Sequence, residues 1–305
     1  MINLSDIFIY ALKKLDGFND NNILKAIALA NNDVVETLDD FIDFVNYNIE
    51  DNRFDNITQP FTENTIRKAV ENALKNKDNI VHYVNPTDDV FPKKITIGQI
   101  GVTSLLKYKG NLENIKRKTI LITGSPNISD NARLASEYIG KVLATNEYNI
   151  LFSFLNECEL NAIKGCKAAH GVSTFFLPHS IEHLTSKEKD VIQDEVDSER
   201  SIIISADDYV LANAKSVENA CKYLMVLADC MIIPQISITD YIFDFVKKFM
   251  ELDKPVFLIK YKTRTFKEYD CIRALESLGV MYLHSKTVFN QIKNTIGEAF
   301  DDTIG

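Results

Sequence analysis

Gly124, Ser125 and Ser129 stand where an apolar segment gives way to a helical pattern, and such a turn can hold an anion. The apolar segment is 119–123, and apolar residues recur at helical spacing over 130–145. Backbone N–H groups in the first turn of a helix lack partners and attract phosphates. Ser129 or Asp130 is expected to cap this helix. The sequence therefore predicts a phosphate-binding turn.

The same turn contains two residues that weaken this prediction. Pro126 and Asn127 stand where a phosphate-holding turn would profit from a positive charge. Pro126 also lacks the backbone N–H that a phosphate could use. We therefore expect the turn to keep its shape but to have lost most of its affinity for phosphate.

Two other groups of residues could do chemistry. Asp207 and Asp208 follow a predicted strand and could act as acid, base or Mg²⁺ ligands, but no partner residue is identified for them. His179 and His183 are four residues apart with Glu182 between them, yet no third metal ligand is visible. We therefore predict no catalytic residue, no metal site and no cofactor.

Short apolar strands alternate with helices along most of the chain. Continuous apolar runs are typical of strands buried on both faces of a parallel sheet. This alternation predicts a doubly wound, mostly parallel, Rossmann-like α/β domain whose ligands bind beyond the carboxyl ends of the strands. The predicted strands are 119–123, 150–154, 174–177, 201–205, 230–234, 256–259 and 280–283, and the predicted helices are 130–145, 160–170, 186–197, 217–228, 240–252, 266–278 and 287–300.

A small helical domain is predicted to precede the α/β domain. In residues 1–80, apolar residues recur at spacings of three and four, as in Ile7 and Ala11. The turn-rich segment 85–89 follows, after which the strand and helix alternation begins. The predicted domains are therefore 1–80 and 81–305.

The composition is that of an ordinary soluble protein. The chain of 305 residues is 46% hydrophobic and 25% charged, and it has no run of about 18 apolar residues that would predict a membrane span. The first residues do not have the pattern of a signal peptide. Five cysteines without a C-x-x-C pair fit free thiols in a reducing cytoplasm. The net charge of −9 weighs against a surface that binds nucleic acid throughout, although a local basic patch is compatible with it.

Read together, these segments resemble the DNA-processing protein A family (DprA, also called Smf). Gly124 and Ser125 match the start of that family's Gly-Ser-Arg turn, and Ser153 matches the start of its Ser-Gly-Leu-Ala-Arg-Gly-Ile-Asp segment. The resemblance covers nearly the whole chain in the family's order. The matching segments are 91–92, 108–111, 120–125, 153–174, 219–257 and 269–296.

The resemblance implies a function as well as a fold. It implies a protein, not an enzyme, that binds single-stranded DNA and hands it to the strand-exchange recombinase during DNA uptake or recombination. It also implies a cytoplasmic homodimer without membrane attachment. The residues that it implies for binding nucleic acid or phosphate are Gly124, Ser125, Ser129, Ser153 and Lys222.

Most of the family's positive anchors are replaced in this sequence. Pro126 stands for the arginine of the first turn, and Glu157 for the arginine of the second loop. Phe154 and Cys158 replace that loop's two glycines, and only Lys222 keeps a charge in the third segment. At about 4 Å, a carboxylate in place of a cation turns an attraction to phosphate of roughly 1–4 kcal/mol into a repulsion of similar size.

Three functions therefore stay open. A divergent member would bind single-stranded DNA through a shifted basic groove with aromatic residues. A sensor of a nucleotide-like ligand would use the Gly124 turn and the loop at Gln235, and would have a pocket there. A protein-interaction module would use the acidic surface instead. The basic candidates for a shifted groove lie at 93–94, 107, 109, 116–118 and 260–264.

Overall fold

The computed structural model describes residues 5–30, 35–75, 81–84, 91–97, 105–207, 209–261 and 266–299. The predicted turn at 85–89 and Asp208 lie outside these residues. The chain divides into two compact units, Met1–Phe91 with Ser104–Tyr108 and Pro92–Thr103 with Lys109–Gly305. The domain boundary expected after residue 80 stays a prediction.

The first unit contains four helices and an antiparallel strand pair. Ser5 caps the first helix, and Thr37 forms a capping box with Asp40 at the third. The apolar faces meet in one core, where the rings of Phe8 and Phe41 stack with centroids 4.3 Å apart. The predicted small helical domain is thus confirmed. Its elements are α1 (Asp6–Leu12), α2 (Asp20–Ala30), α3 (Leu38–Glu50), α4 (Glu63–Lys75), β1 (His82–Val84) and β2 (Leu106–Gly110).

The second unit is built on seven parallel strands with helices between them. In four of these seven strands every residue is buried, as expected for strands covered on both faces. These four strands are 119–122, 149–152, 201–205 and 230–233. In chain order its elements are α5 (Lys93–Ile97), β3 (Thr119–Ile122), α6 (Asp130–Thr145), β4 (Asn149–Phe152), α7 (Glu157–Ala168), β5 (Val172–Leu177), α8 (Ser186–Asp197), β6 (Ser201–Ser205), α9 (Ala214–Leu227), β7 (Cys230–Ile233), α10 (Ile242–Met250), β8 (Val256–Ile259), α11 (Phe266–Ser277), β9 (Met281–Leu283) and α12 (Val288–Ile296).

The strand order places the switch point of the sheet beside β3. The order is β6-β5-β4-β3-β7-β8-β9, and all neighbouring pairs are parallel. The chain moves outward from β3 to β6 and then crosses back to β7 on the other side of β3. The predicted doubly wound, Rossmann-like sheet is confirmed. Ligands of such folds bind at the carboxyl ends of the strands that flank the switch point, here β3 and β7.

Two helices begin earlier than the sequence pattern predicted. The helix expected from residue 160 is α7, which starts at Glu157 because the Asn156 side chain accepts a hydrogen bond from the N–H of Glu159. The helix expected from residue 217 is α9, which starts at Ala214 because Asn213 caps it. Residues 157–159 therefore belong to a helical turn rather than to a loop.

The cysteines and the helix lengths complete the description. All five cysteines are free, and four of them are buried. Free thiols were predicted, and this prediction is confirmed. Across the part of the chain that the structure describes, every helix is too short or too polar to span a membrane.

Candidate functional site

Gly124, at the end of β3, packs against the loop that follows β7. A Cβ atom at this position would lie 2.5 Å from the carbonyl oxygen of Gln235 and 2.7 Å from Sγ of Cys158. Only glycine allows so close an approach. The space beside its Cα, on the side where a side chain would point, is therefore filled by protein.

The two serines of the turn use their polar groups within the protein. The backbone N–H of Ser125 donates to the carbonyl oxygen of Gln235 at 2.8 Å, and its hydroxyl donates to the carboxylate of Asp240. The N–H and hydroxyl of Ser129 both donate to Oε1 of Gln235, at 3.0 and 2.9 Å. The Ser129 hydroxyl also accepts from the N–H of Ala132 as the cap of α6. A phosphate would have to displace these partners.

A buried carboxylate occupies the loop after β4. The N–H groups of residues 153–155 converge on Oε2 of Glu159 at 3.0, 2.9 and 2.9 Å. Thr123 and Asn156 donate to Oε1 at 3.0 and 3.1 Å, and Glu159 is fully buried. Burial raises the pKa of the Glu159 carboxyl to about 7, against the opposite effect of the N–H donors. Converging N–H groups of this kind are how loops hold anions, and here the anion is part of the chain.

Ser153 is held by this arrangement. Its N–H bonds to Glu159, and its hydroxyl donates to the carbonyl oxygen of Phe176 at 2.7 Å. Only 4% of Ser153 is exposed, and both of its donors are used inside the protein. Its contacts are therefore structural in this conformation.

Glu157, the first residue of α7, contacts the segment that precedes α6. Its Oε2 accepts from the N–H of Ile128 at 3.1 Å and contacts Nη2 of Arg133 at 3.2 Å. These two contacts hold the pKa of Glu157 below its usual range. Arg133 also pairs with Asp130 at 2.9 Å. The arginine at this end of the sheet is thus engaged by two carboxylates.

The structure brings four of the five predicted residues together. Gly124, Ser125, Ser129 and Ser153 are linked at the switch point, since Asn156 bonds both to the Gly124 carbonyl oxygen at 3.2 Å and to Glu159. Lys222 lies on α9 and pairs with Glu218, one turn away, at 3.4 Å. Neither observation tests whether these residues bind nucleic acid, which stays a prediction.

The remaining candidates for chemistry are held in place by neighbouring side chains. Nε2 of His179 lies 2.8 Å from Glu188, and Nδ1 lies 3.1 Å from the carbonyl oxygen of Ser180. Both ring nitrogens thus have protein partners. Asp207 accepts a hydrogen bond from Asn219 at 3.1 Å. Within the described ranges, no three His, Cys, Asp or Glu side chains are placed to hold a metal ion.

A groove opens between α6 and the segments that follow β8 and β9. We call it the α6–α12 groove; its volume is about 560 Å³, within the roughly 300–1,000 Å³ typical of small-ligand sites. Ile139, Leu283 and Val288 contribute buried apolar groups to its lining. Its exposed groups are those of Leu134, Tyr138, Lys260, His284 and Lys286.

The charge of this groove differs from that of the protein as a whole. The chain carries a net charge of −9, yet the described residues of the lining include two lysines and a histidine and no carboxylate. The Tyr138 hydroxyl donates to the carbonyl oxygen of Ser285 at 2.9 Å, which fixes the ring across the groove. Nζ of Lys260 lies 5.2 Å from the ring centroid of Tyr282. Cations beside an aromatic ring suit a polyanion with planar groups.

Among the basic residues of this groove, the sequence identified Lys260 and missed Lys286. Lys260 belongs to a predicted basic segment, of which residues 262–264 lie outside the described part. Among the other basic candidates, Lys94 pairs with Asp229 at 2.6 Å, Lys116 pairs with Glu113 at 2.7 Å, and Lys107 is buried. Leu134 and Tyr138 were not predicted, although both are large side chains on a part of the α6 surface that does not pack against the core.

Comparison with solved structures places this fold in a known class. DNA processing protein A from Streptococcus pneumoniae superposes with a TM-score of 0.63 at 18% identity, covering 95% of this chain and 99% of that one. DNA processing protein A from Helicobacter pylori, a structure described for its single-stranded DNA binding mode, gives a TM-score of 0.57 at 16% identity, covering 70% and 96%. A molybdenum cofactor binding protein from Rippkaea orientalis is a weaker match, with a TM-score of 0.41 at 17% identity and coverage of 58% and 94%.

These comparisons establish a DprA-like fold. The resemblance to the DNA-processing protein A family, predicted from the residues, is confirmed at the level of the fold. No protein-family profile matches the sequence, and no curated protein sequence does. What this fold does here must therefore be argued from its own side chains.

Proposed function

We propose that this protein binds single-stranded DNA in the α6–α12 groove and acts by binding rather than by catalysis. The observation that carries the proposal is the lining of the groove, where Lys260 and Lys286 accompany Tyr138 and no carboxylate lies among the lining residues that the structure describes. Grooves for single strands combine cations that contact the phosphates with aromatic faces that stack on bases. The DprA-like fold supports the same function, since one matched structure is described for its single-stranded DNA binding mode.

The closed switch point beside β3 supports this location. Phosphate would meet Glu157 and the acceptors that already hold Ser125, Ser129 and Ser153. A carboxylate near a phosphate repels it. The α6–α12 groove offers the opposite charge, and binding there leaves the contacts of the switch point intact.

The absence of catalysis is argued from the polar groups at the strand ends. Glu157, Glu159 and Asp240 each accept hydrogen bonds that hold a loop in place. A general acid or base needs an oxygen within reach of a substrate, whereas the carboxylate of Glu159 is fully buried. Binding alone is the simpler use of such a site.

The remaining parts of the proposal come from the family resemblance. They are a role in recombination or DNA uptake, transfer of the strand to a strand-exchange recombinase, a cytoplasmic location and pairing of two copies. The free thiols are compatible with a reducing compartment. The role in recombination or DNA uptake and the transfer of the strand both depend on DNA binding, which is therefore the property to test first.

The test is a titration of a fluorescently labelled oligothymidylate, followed by anisotropy over a series of salt concentrations. Affinity is expected to fall with salt, with a logarithmic slope of about 0.7 for each phosphate contacted on a single strand. The double substitution Lys260→Glu/Lys286→Glu is expected to weaken binding and to reduce the slope by about 1.4. Failure of the unchanged protein to bind at about 20 mM salt, where such contacts are strongest, would refute the proposal.

A control must separate the groove from the overall charge. Lys164→Glu/Lys167→Glu makes the same change of charge on α7, outside the α6–α12 groove. It is expected to alter affinity only slightly, through long-range repulsion that salt screens. Equal losses in the two double variants would mean that net charge, rather than this groove, determines binding.

A further inference from the structure

We infer that Leu134 and Tyr138 form the base-contacting side of the α6–α12 groove, so that the groove selects DNA whose bases are unpaired. This inference rests on the proposed function and deepens it, because it assigns the two walls of the groove to different parts of the strand.

The first argument is the exposure of two large apolar side chains on the same helix face. Leu134 is 69% exposed and Tyr138 is 46% exposed. They are four residues apart on α6 and therefore neighbours on its surface. The core-facing residues of this helix, among them Ile139 and Leu143, are buried. Leu134 and Tyr138 thus add little to the core and form an apolar step at the groove.

The second argument is that the Tyr138 ring is held in place. Its hydroxyl donates to the carbonyl oxygen of Ser285 in the segment after β9, at 2.9 Å. A ring anchored at its hydroxyl loses little freedom when a ligand packs on it, and such preorganisation favours binding. The face of the ring, not the hydroxyl, is left for contact.

The third argument is the division of charge between the walls. Lys260 follows β8 and Lys286 follows β9, whereas the apolar step lies on α6. An unpaired strand presents phosphates and base faces that can be contacted separately, and grooves for single strands use cations for one and aromatic rings for the other. In a duplex the base faces are stacked and inaccessible to the step.

The experiment compares three DNA probes of equal length: an oligothymidylate, the same strand with abasic sites, and a duplex. The unchanged protein is expected to bind the abasic strand and the duplex at least about tenfold more weakly than the oligothymidylate. Tyr138→Ala is expected to weaken oligothymidylate binding by about 5- to 100-fold and to leave abasic binding unchanged. Tyr138→Phe keeps the ring and is expected to bind within about threefold of the unchanged protein.

Two further variants test whether a loss of binding is specific to the apolar step formed by Leu134 and Tyr138. Leu134→Ser changes a side chain that is 69% exposed, so it tests the step without disturbing the core. Tyr47→Ala removes an aromatic ring that is 66% exposed on α3 of the other unit, and no loss is expected. Thermal unfolding of each variant confirms that it is folded.

The outcomes separate the two proposals. Equal binding of the oligothymidylate and the abasic strand overturns the inference but leaves single-stranded DNA binding standing. An equal loss by Tyr138→Ala on both probes does the same, because the ring would then act without the bases. If no probe binds at low salt, both the inference and the proposed function are wrong.

Discussion

The carboxylate of Glu159 accepts a hydrogen bond from the backbone N–H of Ser153 at 3.0 Å, inside a loop that would otherwise be able to hold a ligand anion. The next two N–H groups donate to the same oxygen. The loop therefore carries its own anion, delivered by the first turn of α7. These three hydrogen bonds hold the loop after β4 in its observed shape.

Removing this internal anion should be far more damaging than removing its neighbour. Glu159→Ala leaves three backbone N–H groups and the Thr123 hydroxyl without their acceptor at a site where the carboxylate is fully buried. Each such group costs about 1–3 kcal/mol, so we expect the free energy of unfolding to fall by at least about 3 kcal/mol. Urea denaturation followed by circular dichroism measures this loss.

Glu157→Ala is the matched control, since it removes the same side chain two residues earlier. Glu157 is partly exposed and accepts from Ile128 and Arg133, which water can satisfy in its place. We expect a clearly smaller loss of stability. If both variants lost similar amounts of stability, Glu159 would contribute no more to the free energy of unfolding than an exposed carboxylate in the first turn of a helix. Its burial and its converging donors would then have no stabilising effect of their own.

Gly124 should tolerate no side chain, because the space beside it is filled. Its Cβ would lie 2.5 Å from the backbone of Gln235, which cannot rotate away as a side chain could. We expect Gly124→Ala to lower the free energy of unfolding by about 1–3 kcal/mol, as for other overpacked positions.

At Gly279 a Cβ would meet nothing within 4 Å, but φ is +91°. Gly279→Ala should therefore cost about 1 kcal/mol from backbone strain alone, and an equal or larger loss there would contradict the packing argument.

The buried pair of His179 and Glu188 predicts a pH dependence with a definite sign. The hydrogen bond that His179 donates to the Glu188 carboxylate raises the pKa of His179 in the folded protein. The pair therefore adds stability below the unfolded pKa of about 6.5, and this stability is lost as pH rises through the higher folded pKa. Urea unfolding at several pH values between about 6 and 8 should show it as a falling free energy of unfolding.

Glu188→Gln tests the origin of that slope. The amide keeps most of the shape of the carboxylate but removes its charge, so the pKa of His179 should return toward its ordinary value. The slope of stability against pH above 6.5 should then become shallower by the share of His179. An unchanged slope would mean that other groups cause the pH dependence. Glu159 is one of them, because its pKa is raised to about 7 and its contribution to stability therefore also falls as pH rises.

Local patterns were enough to predict the fold, and one of them was overlooked. The apolar runs predicted all seven parallel strands, because most of the residues in these strands are buried. The start of α7 was predicted three residues late, although Asn156 followed three positions later by Glu159 is the pattern of a capping box. Reading that pattern would have placed Glu159 in the first turn. It would not have revealed that Glu159 is buried, since this depends on its packing against Thr123, which follows β3.

The α6–α12 groove could not be predicted in the same way. Tyr138, Lys260 and Lys286 are far apart in sequence, and only the order of β3, β8 and β9 in the sheet brings their segments to one place. The ion pairs of Lys94 and Lys116 are equally invisible in a list of basic residues. The net charge is compatible with a local basic patch, but it does not show where on the surface that patch lies.

Two single substitutions, Lys222→Ala and Ser129→Ala, distinguish DNA binding at the switch point from DNA binding in the α6–α12 groove. If the strand bound at the switch point, as the family resemblance implies, both substitutions should weaken DNA binding. Because Lys222 pairs with Glu218 and Ser129 is bonded to Gln235 and Ala132, we expect unchanged affinity for the oligothymidylate in both variants. Ser129→Ala should instead lower the free energy of unfolding by about 1 kcal/mol through loss of the α6 cap. Anisotropy at one low salt concentration decides the matter: a loss of affinity in Lys222→Ala, with the groove variants unaffected, would return the binding site to the switch point.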